Sequence, residues 1–329
     1  MSKTIIITGA TGYVGGHTAL RFKEAGYTVI GVDRRITIPA AVEFLDEFLC
    51  IDFADIVDYC AQLREAGAII HCAGTSLVGP SIADPGEYYN NNTSKTNRML
   101  NWLSIKGWKG SIIFSSSAAI YGNFARCPIG ESAVYSSLPV SPYGWSKLMI
   151  ERVLADHCHA HGFRGISLRY FNAAGCDPQS RMGSERNGTH LFTRIIDNVL
   201  SGTEIVINGN DYDTRDGTCV RDYIHVTDLA EAHLEAVCLA ESLKPGEHRS
   251  YNLGAGRGYT NMEVLRQVED YAGTKLNWRY GPRRAGDPDQ LYADPKKFIQ
   301  DTTWHPKHSS IAEIASTTFN WFKKTYYNN

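Results

Sequence analysis

Residues 4–26, TIIITGATGYVGGHTALRFKEAG, run from a β-branched apolar stretch through a glycine-rich turn into helical periodicity. The run at 4–8 is short, apolar between two threonines and bounded by Gly9, as in a strand buried on both faces. A helix is expected from about Tyr13 to Ala25, stopping at Gly26. Gly9, Gly12 and Gly15 stand three apart between the two elements, with Tyr13 and Val14 inside the last interval. Glycine in such a turn adopts backbone angles that a side chain forbids. Glycine at the helix start lets a pyrophosphate reach bare N–H groups at the positive end of the helix dipole. This G-x-x-G-x-x-G spacing is a variant of the G-x-G-x-x-G fingerprint, and a plain tight turn is its alternative. Its place between a strand and a helix favours a dinucleotide site.

The pattern repeats outward. Strand-like runs at 28–32, 68–73 and 111–116 alternate with helical segments near 55–66, 86–105 and 143–161, and 166–172 closes the series. Short β-branched strands joined by helices predict an α/β fold, a Rossmann-type doubly wound parallel sheet. Residues 1–172 are expected to form an NAD-binding domain. From about 173 the chain turns rich in Gly, Ser, Asn and charge, and a smaller C-terminal α/β substrate domain is expected over 173–329. Its strand candidates are 204–209, 221–226 and 250–254, of which the last two (within 221–255) can return to the first domain.

Bulk properties narrow the partners. The chain has 329 residues, 43% hydrophobic, with 33 basic and 35 acidic side chains and a net charge of −2, so neither nucleic acid nor an anionic membrane is expected. No apolar run approaches the roughly 20 residues that span a bilayer. The N-terminus passes directly into a strand, without the long apolar stretch of a signal peptide, and a cytoplasmic location is expected. Eight scattered cysteines (50, 60, 72, 127, 158, 176, 219, 238) form no C-x-x-C pair and are expected to be reduced thiols. The cluster HCHAH at 157–161 suits the dipole of a helix end better than a metal, and no metal site is expected.

Two further features bear on chemistry. Asp33 ends the second strand, 18 residues after Gly15, where a carboxylate accepts hydrogen bonds from ribose hydroxyls. Its charge would repel a 2′-phosphate, so NAD is expected rather than NADP, although Arg34 and Arg35 follow at once and either can pair with such a phosphate. The run FSSSAAIYG places Ser115, Ser116 and Ser117 at the carboxyl edge of the sheet, where ligands of open α/β sheets bind. In SPYGWSKLMIE, Tyr143 and Lys147 lie one helical turn apart. A free tyrosine is too weak a base at neutral pH. A neighbouring ammonium and an oxidised nicotinamide are expected to lower its pKa, so that the phenolate removes a hydroxyl proton as hydride leaves the same carbon.

The glycine loop, the serine and the Y-x-x-x-K pair resemble the extended short-chain dehydrogenase/reductase family, and within it the UDP-sugar 4-epimerases. The similarity runs nearly end to end, through TGATGYVGGHT, LVGPSI, YYNNN, FSSSAAIYG, SPYGWSKLMIE, LRYFNAAG, GNDYDTRDGTCVRDYIHVTDLA, YNLGAG and PRRAGDP. It implies that Tyr143 is the base, that Lys147 binds ribose and tunes Tyr143, and that Ser117 assists. Gly9, Gly12, Tyr13, Val14 and Gly15 would hold the pyrophosphate, Asp33 and Arg34 would lie at the adenosine ribose, and Asp52 with Phe53 at the adenine. Cys72, Ala73, Gly74, Ser76, Asn92 and Ser115 would line the nicotinamide side, with Tyr170 and Phe171 close by. Asn172, His190, Leu191, Asn208, Arg221, Arg284 and Asp287, with Ser117 and Tyr143, would hold the UDP-sugar. A surface ion pair is the alternative for Arg221 and Arg284. The implied reaction is interconversion of UDP-galactose and UDP-glucose: hydride leaves C4, the 4-keto sugar swings about its diphosphate, and hydride returns to the other face, with NAD retained. A homodimer through the helices at 86–105 and 143–161 is also implied.

Three positions depart from common members of that family. Ser76 stands where some have lysine, His190 where some have asparagine, and Asn208 where some have an aromatic residue against uracil. Leu291 matches the position facing the sugar 2-substituent, where a leucine leaves N-acetylated sugars open as substrates, and a 4-epimerase of a UDP-pentose or UDP-hexuronate is a further alternative. Ala118 and Ala119 occupy the place where a 4,6-dehydratase needs an acid pair. A non-catalytic dinucleotide sensor would have no need of Ser117, Tyr143 and Lys147 together.

Overall fold

The computed structural model describes residues 3–124, 126–186, 188, 190–284 and 287–327, except for the side chains of Val57, Cys60 and Ala61. Its strands are β1 (Thr4–Thr8), β2 (Thr28–Asp33), β3 (Glu47–Cys50), β4 (Ala66–His71), β5 (Ser111–Ser117), β6 (Arg164–Tyr170), β7 (Asn172–Ala174), β8 (Ile205–Asn208), β9 (Val220–His225), β10 (His248–Leu253), β11 (Gly258–Thr260), β12 (Trp278–Gly281) and β13 (Gln290–Leu291). The helices are α1 (Tyr13–Glu24), α2 (Cys60–Glu65), α3 (Val78–Ala83), α4 (Pro85–Tyr88), α5 (Lys95–Ile105), α6 (Pro142–His161), α7 (Leu191–Ser201), α8 (Val226–Ser242), α9 (Asn261–Ala272), α10 (Lys296–Asp301) and α11 (Ile311–Phe322).

Seven parallel strands pair in the order β10-β6-β5-β4-β1-β2-β3. The period-2 alternation of strand side chains explains why both faces are covered. Ile5 and Ile7 point into one core with Ala19 and Phe22 of α1 and Leu229 and Ala236 of α8. Ile6, between them, points into the other, with Leu100 and Leu103 of α5 and Ile150 and Leu154 of α6. Each fully buried Ile, Leu or Phe among these contributes about 1.5–3 kcal/mol. The strand order reverses between β1 and β4, and ligands of doubly wound sheets lie outside the carboxyl ends at that crevice.

Several elements differ from the sequence expectation. The helix expected at 86–105 forms as one helical run over Pro85–Ile105, with α4 and α5 joined through a π turn over Tyr89–Ser94 where the Asn92 side chain turns inward to bond the 75 loop and Ser146. The segment expected as helix at 55–66 is a 3₁₀ turn over Phe53–Asp58 followed by α2. β3 is an additional edge strand, and the strand ending at Tyr170 does not close the sheet, since β10 pairs beyond it. Of the two candidates for return to the sheet, SYNLG does so as part of β10, whereas RDYIHV does not. β9 pairs instead with β7, β11 and β13 in a four-stranded sheet. A third core, built from Ile195 of α7, Leu265 of α9, Phe322 of α11 and Ile207 of β8, lies under the later part of the chain.

Candidate active site

The chain leaves β1 through Gly9, whose φ of +70° disfavours any side chain. A Cβ there would lie 2.8 Å from the Ala73 nitrogen. A Cβ on Gly15 would lie 2.0 Å from the Gly9 carbonyl oxygen, so loop and helix touch backbone to backbone. Gly12 is the N-cap of α1 and no side chain caps that helix, which leaves its first-turn N–H groups to a ligand or water. A cradle that any Cβ would fill, at a helix N-terminus, fits a pyrophosphate.

The end of β2 is tied to this loop by Thr11. Asp33 Oδ2 accepts from the Thr11 hydroxyl at 2.8 Å and from its N–H at 3.2 Å, and that hydroxyl accepts from the Thr37 N–H at 3.1 Å. Farther along, Asp52 caps the 3₁₀ turn through the Ala54 N–H at 3.0 Å and pairs with Lys95 Nζ at 2.6 Å. Burial alone would raise the Asp52 pKa, but the Lys95 bond and the cap together hold it below the usual range.

Opposite the glycine loop, α6 starts at Ser141, whose hydroxyl accepts from the Gly144 N–H at 3.1 Å, with Pro142 pre-set for the first turn. A Cβ on Gly144 would lie 2.5 Å from the Ala119 carbonyl oxygen, so this turn packs directly on the chain leaving β5. Lys147 is buried and donates from Nζ to the Ser115 carbonyl at 2.8 Å. Its Nζ lies 5.8 Å from the Tyr143 ring centroid and 4.8 Å from that of Phe114. Burial lowers the Lys147 pKa to about 8, against the opposing pull of Cys72 and Glu151. The Tyr143 hydroxyl is pushed up by burial, while its hydrogen bond with Ser117 pulls the other way and Tyr88 adds to the rise. Within the protein alone the phenol pKa is thus raised by burial, and the expected lowering depends on the charge of an oxidised nicotinamide joining that of Lys147. Ser115 donates to Cys72 Sγ at 3.1 Å, and burial raises the Cys72 pKa to about 11, so that thiol is no nucleophile here.

The far wall is cationic. Arg221, 8% exposed, donates from Nη1 to the Val220 carbonyl at 2.8 Å. Its Nη2 lies 3.4 Å from Asp287 Oδ1 and is buried without a hydrogen-bond partner. Arg284 grips the same Asp287 by two bonds, at 3.0 and 2.7 Å. Asp287 therefore meets both arginines, and the orphaned Arg221 donor remains for an anion such as a diphosphate. Both arginines thus form ion pairs with Asp287, but Arg221 does so buried and without hydrogen-bond geometry, unlike a surface pair. Asn172 donates to the Asp222 carbonyl at 2.9 Å, His190 caps α7 by position with its pKa lowered by burial, and Leu191 begins that helix.

One cleft of about 1050 Å³ contains all of this. Every residue proposed from sequence as a cofactor or substrate contact lines it except Asn92, including Asn208, Ser76, Tyr170, Phe171 and Leu291. Asn92 is buried behind the wall, where its Oδ1 accepts from the Thr75 N–H at 2.7 Å. Thr11 and Lys95 were not foreseen. A hydroxyl inside the glycine loop is a local cue to the first, whereas nothing in the chain marks Lys95 as the partner of a carboxylate 43 residues away.

Fold and site together define a dinucleotide-binding α/β protein with a serine–tyrosine–lysine constellation across the cleft from its phosphate loop. The chain belongs to the NAD dependent epimerase/dehydratase family, whose profile matches residues 5–254. It is 38% identical to the UDP-glucose 4-epimerase of Azospirillum brasilense over 97% of this chain and 92% of that protein. The crystal structure of UDP-glucose 4-epimerase from Brucella ovis in complex with NAD superposes with a TM-score of 0.90 at 35% identity, over 97% of this chain and 98% of that one. The Bifidobacterium longum enzyme in complex with NAD+ and UDP gives 0.88 at 32%, over 99% and 100%. Because the Gly15 Cβ would meet a backbone oxygen, Gly15→Ala is expected to weaken NAD binding at least about tenfold while circular dichroism stays unchanged. Calorimetric titration showing wild-type affinity in this variant would remove the glycine loop from the binding site.

Proposed function

We propose that the protein interconverts UDP-galactose and UDP-glucose at C4, with NAD retained through the cycle. The observation that carries this is the shared cleft, with the Ser117–Tyr143–Lys147 group on one wall and the orphaned Arg221 donor on the other. Bound at the glycine loop, NAD supplies a reversible hydride acceptor and a positively charged ring. The Tyr143 hydroxyl takes the proton of the sugar C4 hydroxyl and later returns it, and Ser117 shares that proton or holds the ketone oxygen. Lys147 holds a positive charge beside the phenol, which favours the ionised form as the proton arrives and leaves. Arg221 and Arg284 pin the diphosphate, so recognition rests on UDP and the hexose stays free to turn. Residues 173–329, apart from α8, β10 and α10, which pack with the main sheet, serve as the UDP-sugar domain and the rest as the NAD domain.

The likeness to epimerases of this name over nearly the whole chain supports the same assignment. Leu291 lines the cleft opposite Arg221 in the β13–β9 pair, and a scan with UDP-GlcNAc and UDP-pentoses separates this activity from 4-epimerases of other UDP-sugars. Two copies pair through α5 and α6, which expose Trp102, Ile105 and Met149, and light scattering at one-subunit mass would refute that pairing. No helix among the described residues is long and apolar enough to cross a membrane, and the enzyme is proposed to act in the cytoplasm.

Purified protein given UDP-galactose without added NAD should form UDP-glucose, detected by a coupled dehydrogenase, and no product from NAD-loaded protein would reject the function. Tyr143→Phe should keep NAD affinity within about threefold and lower turnover at least about 10²-fold, the usual contribution of a positioned acid–base group. A variant as active as wild type would exclude Tyr143 as the base. Lys147 carries its charge below its pKa of about 8 and loses it above, so kcat should fall as pH rises through that region. A flat profile from pH 7 to 9.5 would show that the ammonium is not required.

A further inference from the structure

Two motifs in this sequence contain charged residues that the chemistry above leaves unused: Glu151 closes SPYGWSKLMIE, and Arg169 lies in LRYFN. Both are buried, with side chains 5% and 6% exposed, and Arg169 Nη2 donates to Glu151 Oε2 at 2.6 Å. Glu151 lies four residues past Lys147 and eight past Tyr143 on α6, a spacing that keeps all three on one side of the helix. Its Oε1 accepts from the Ser116 hydroxyl at 2.5 Å and from Arg169 Nε at 2.9 Å, and its Oε2 accepts from the Ser250 hydroxyl at 3.2 Å. One carboxylate thus joins the helix to β5, β6 and β10. Arg169 is completed by the Tyr121 hydroxyl at 2.9 Å and the Glu131 carbonyl at 3.1 Å.

A buried ion pair is a poor source of stability, because desolvating both charges can cancel their attraction and an apolar pair of similar volume often serves as well. An apolar pair cannot, however, fix a helix along its axis as directional bonds do. The bond to Ser116 falls where such fixing matters. Ser116 stands between Ser115, whose carbonyl receives the Lys147 ammonium, and Ser117, which bonds Tyr143.

We propose that Glu151 is a positioning residue, which through Ser116 sets the Tyr143–Lys147 turn of α6 in register with Ser115 and Ser117. The proposal rests on the epimerase function argued above. Glu151→Gln would leave Arg169 buried without its counter-charge and would test folding first, so the decisive comparison removes one hydroxyl at a time from the same carboxylate. Ser116→Ala should lower kcat for UDP-galactose about tenfold with KM within about twofold, since small misplacements of a reacting group are costly. In the same variant, amide hydrogen exchange over residues 143–150, measured without substrate, should quicken about tenfold. Ser250→Ala deletes the longer bond to the same carboxylate, on the side of β10, and should leave kcat and that exchange within about twofold of wild type. Equal effects of the two substitutions, or unchanged exchange in Ser116→Ala, would overturn the positioning role. The exchange readout needs no turnover, so absence of wild-type epimerase activity would count against the function and leave the register test standing.

Discussion

The buried hydrogen bond from Lys147 Nζ to the Ser115 carbonyl joins a helix to the carboxyl edge of a strand, and the candidate site is arranged around it. An ammonium taken out of water is expensive, and burial lowers its pKa to about 8. It is tolerated because the Ser115 carbonyl and the Phe114 face lie against it, and the charges of Cys72 and Glu151 favour its ionised form. The result is a positive charge delivered beside a phenol whose pKa burial raises. A group so placed is poised to respond to any further positive charge entering the cleft.

The opposite wall follows from another close approach. Gly9 and Gly15 bring loop and helix into backbone contact, and Thr11 carries that geometry to Asp33 at the end of β2. Phosphate loop, ribose carboxylate and tyrosine all stand at carboxyl ends of parallel strands because right-handed crossovers return each strand in the same direction. The later part of the chain completes the enclosure. β9 leaves the main sheet, and so Arg221 faces the cleft from a separate layer, with Asp287 and Arg284 beside it. A rigid cofactor wall and an anion-gripping wall on different layers suit a ligand whose tail is held and whose head must turn.

Much of this was legible locally. The strand–glycine–helix unit, the amphipathic α6 with its Y-x-x-x-K pair and the α/β alternation are properties of short windows, where periodicity and backbone angles are set by neighbouring residues. Element types at 4–8, 13–24, 111–117 and 142–161 therefore follow from composition and spacing. The helix at 86–105 was legible too, but its π turn was not, because Asn92 there bonds to a loop 17 residues earlier and to Ser146, 54 residues later.

The sequence by itself determined the parallel sheet, the glycine cradle and which residue types arrive at its carboxyl edge. Only the tertiary structure decided that SYNLG joins the seven-stranded sheet while RDYIHV does not, that Asp52 meets Lys95, that Glu151 meets Arg169, and that one buried Arg221 nitrogen faces Asp287 without a hydrogen bond. It also decided the direction in which the Tyr143 titration moves, which burial pushes up against the pull of the Ser117 bond. The reason is physical: hydrophobic period and turn chemistry are local, whereas pairing of charges and loss of solvent depend on elements that meet only after the crossovers have packed.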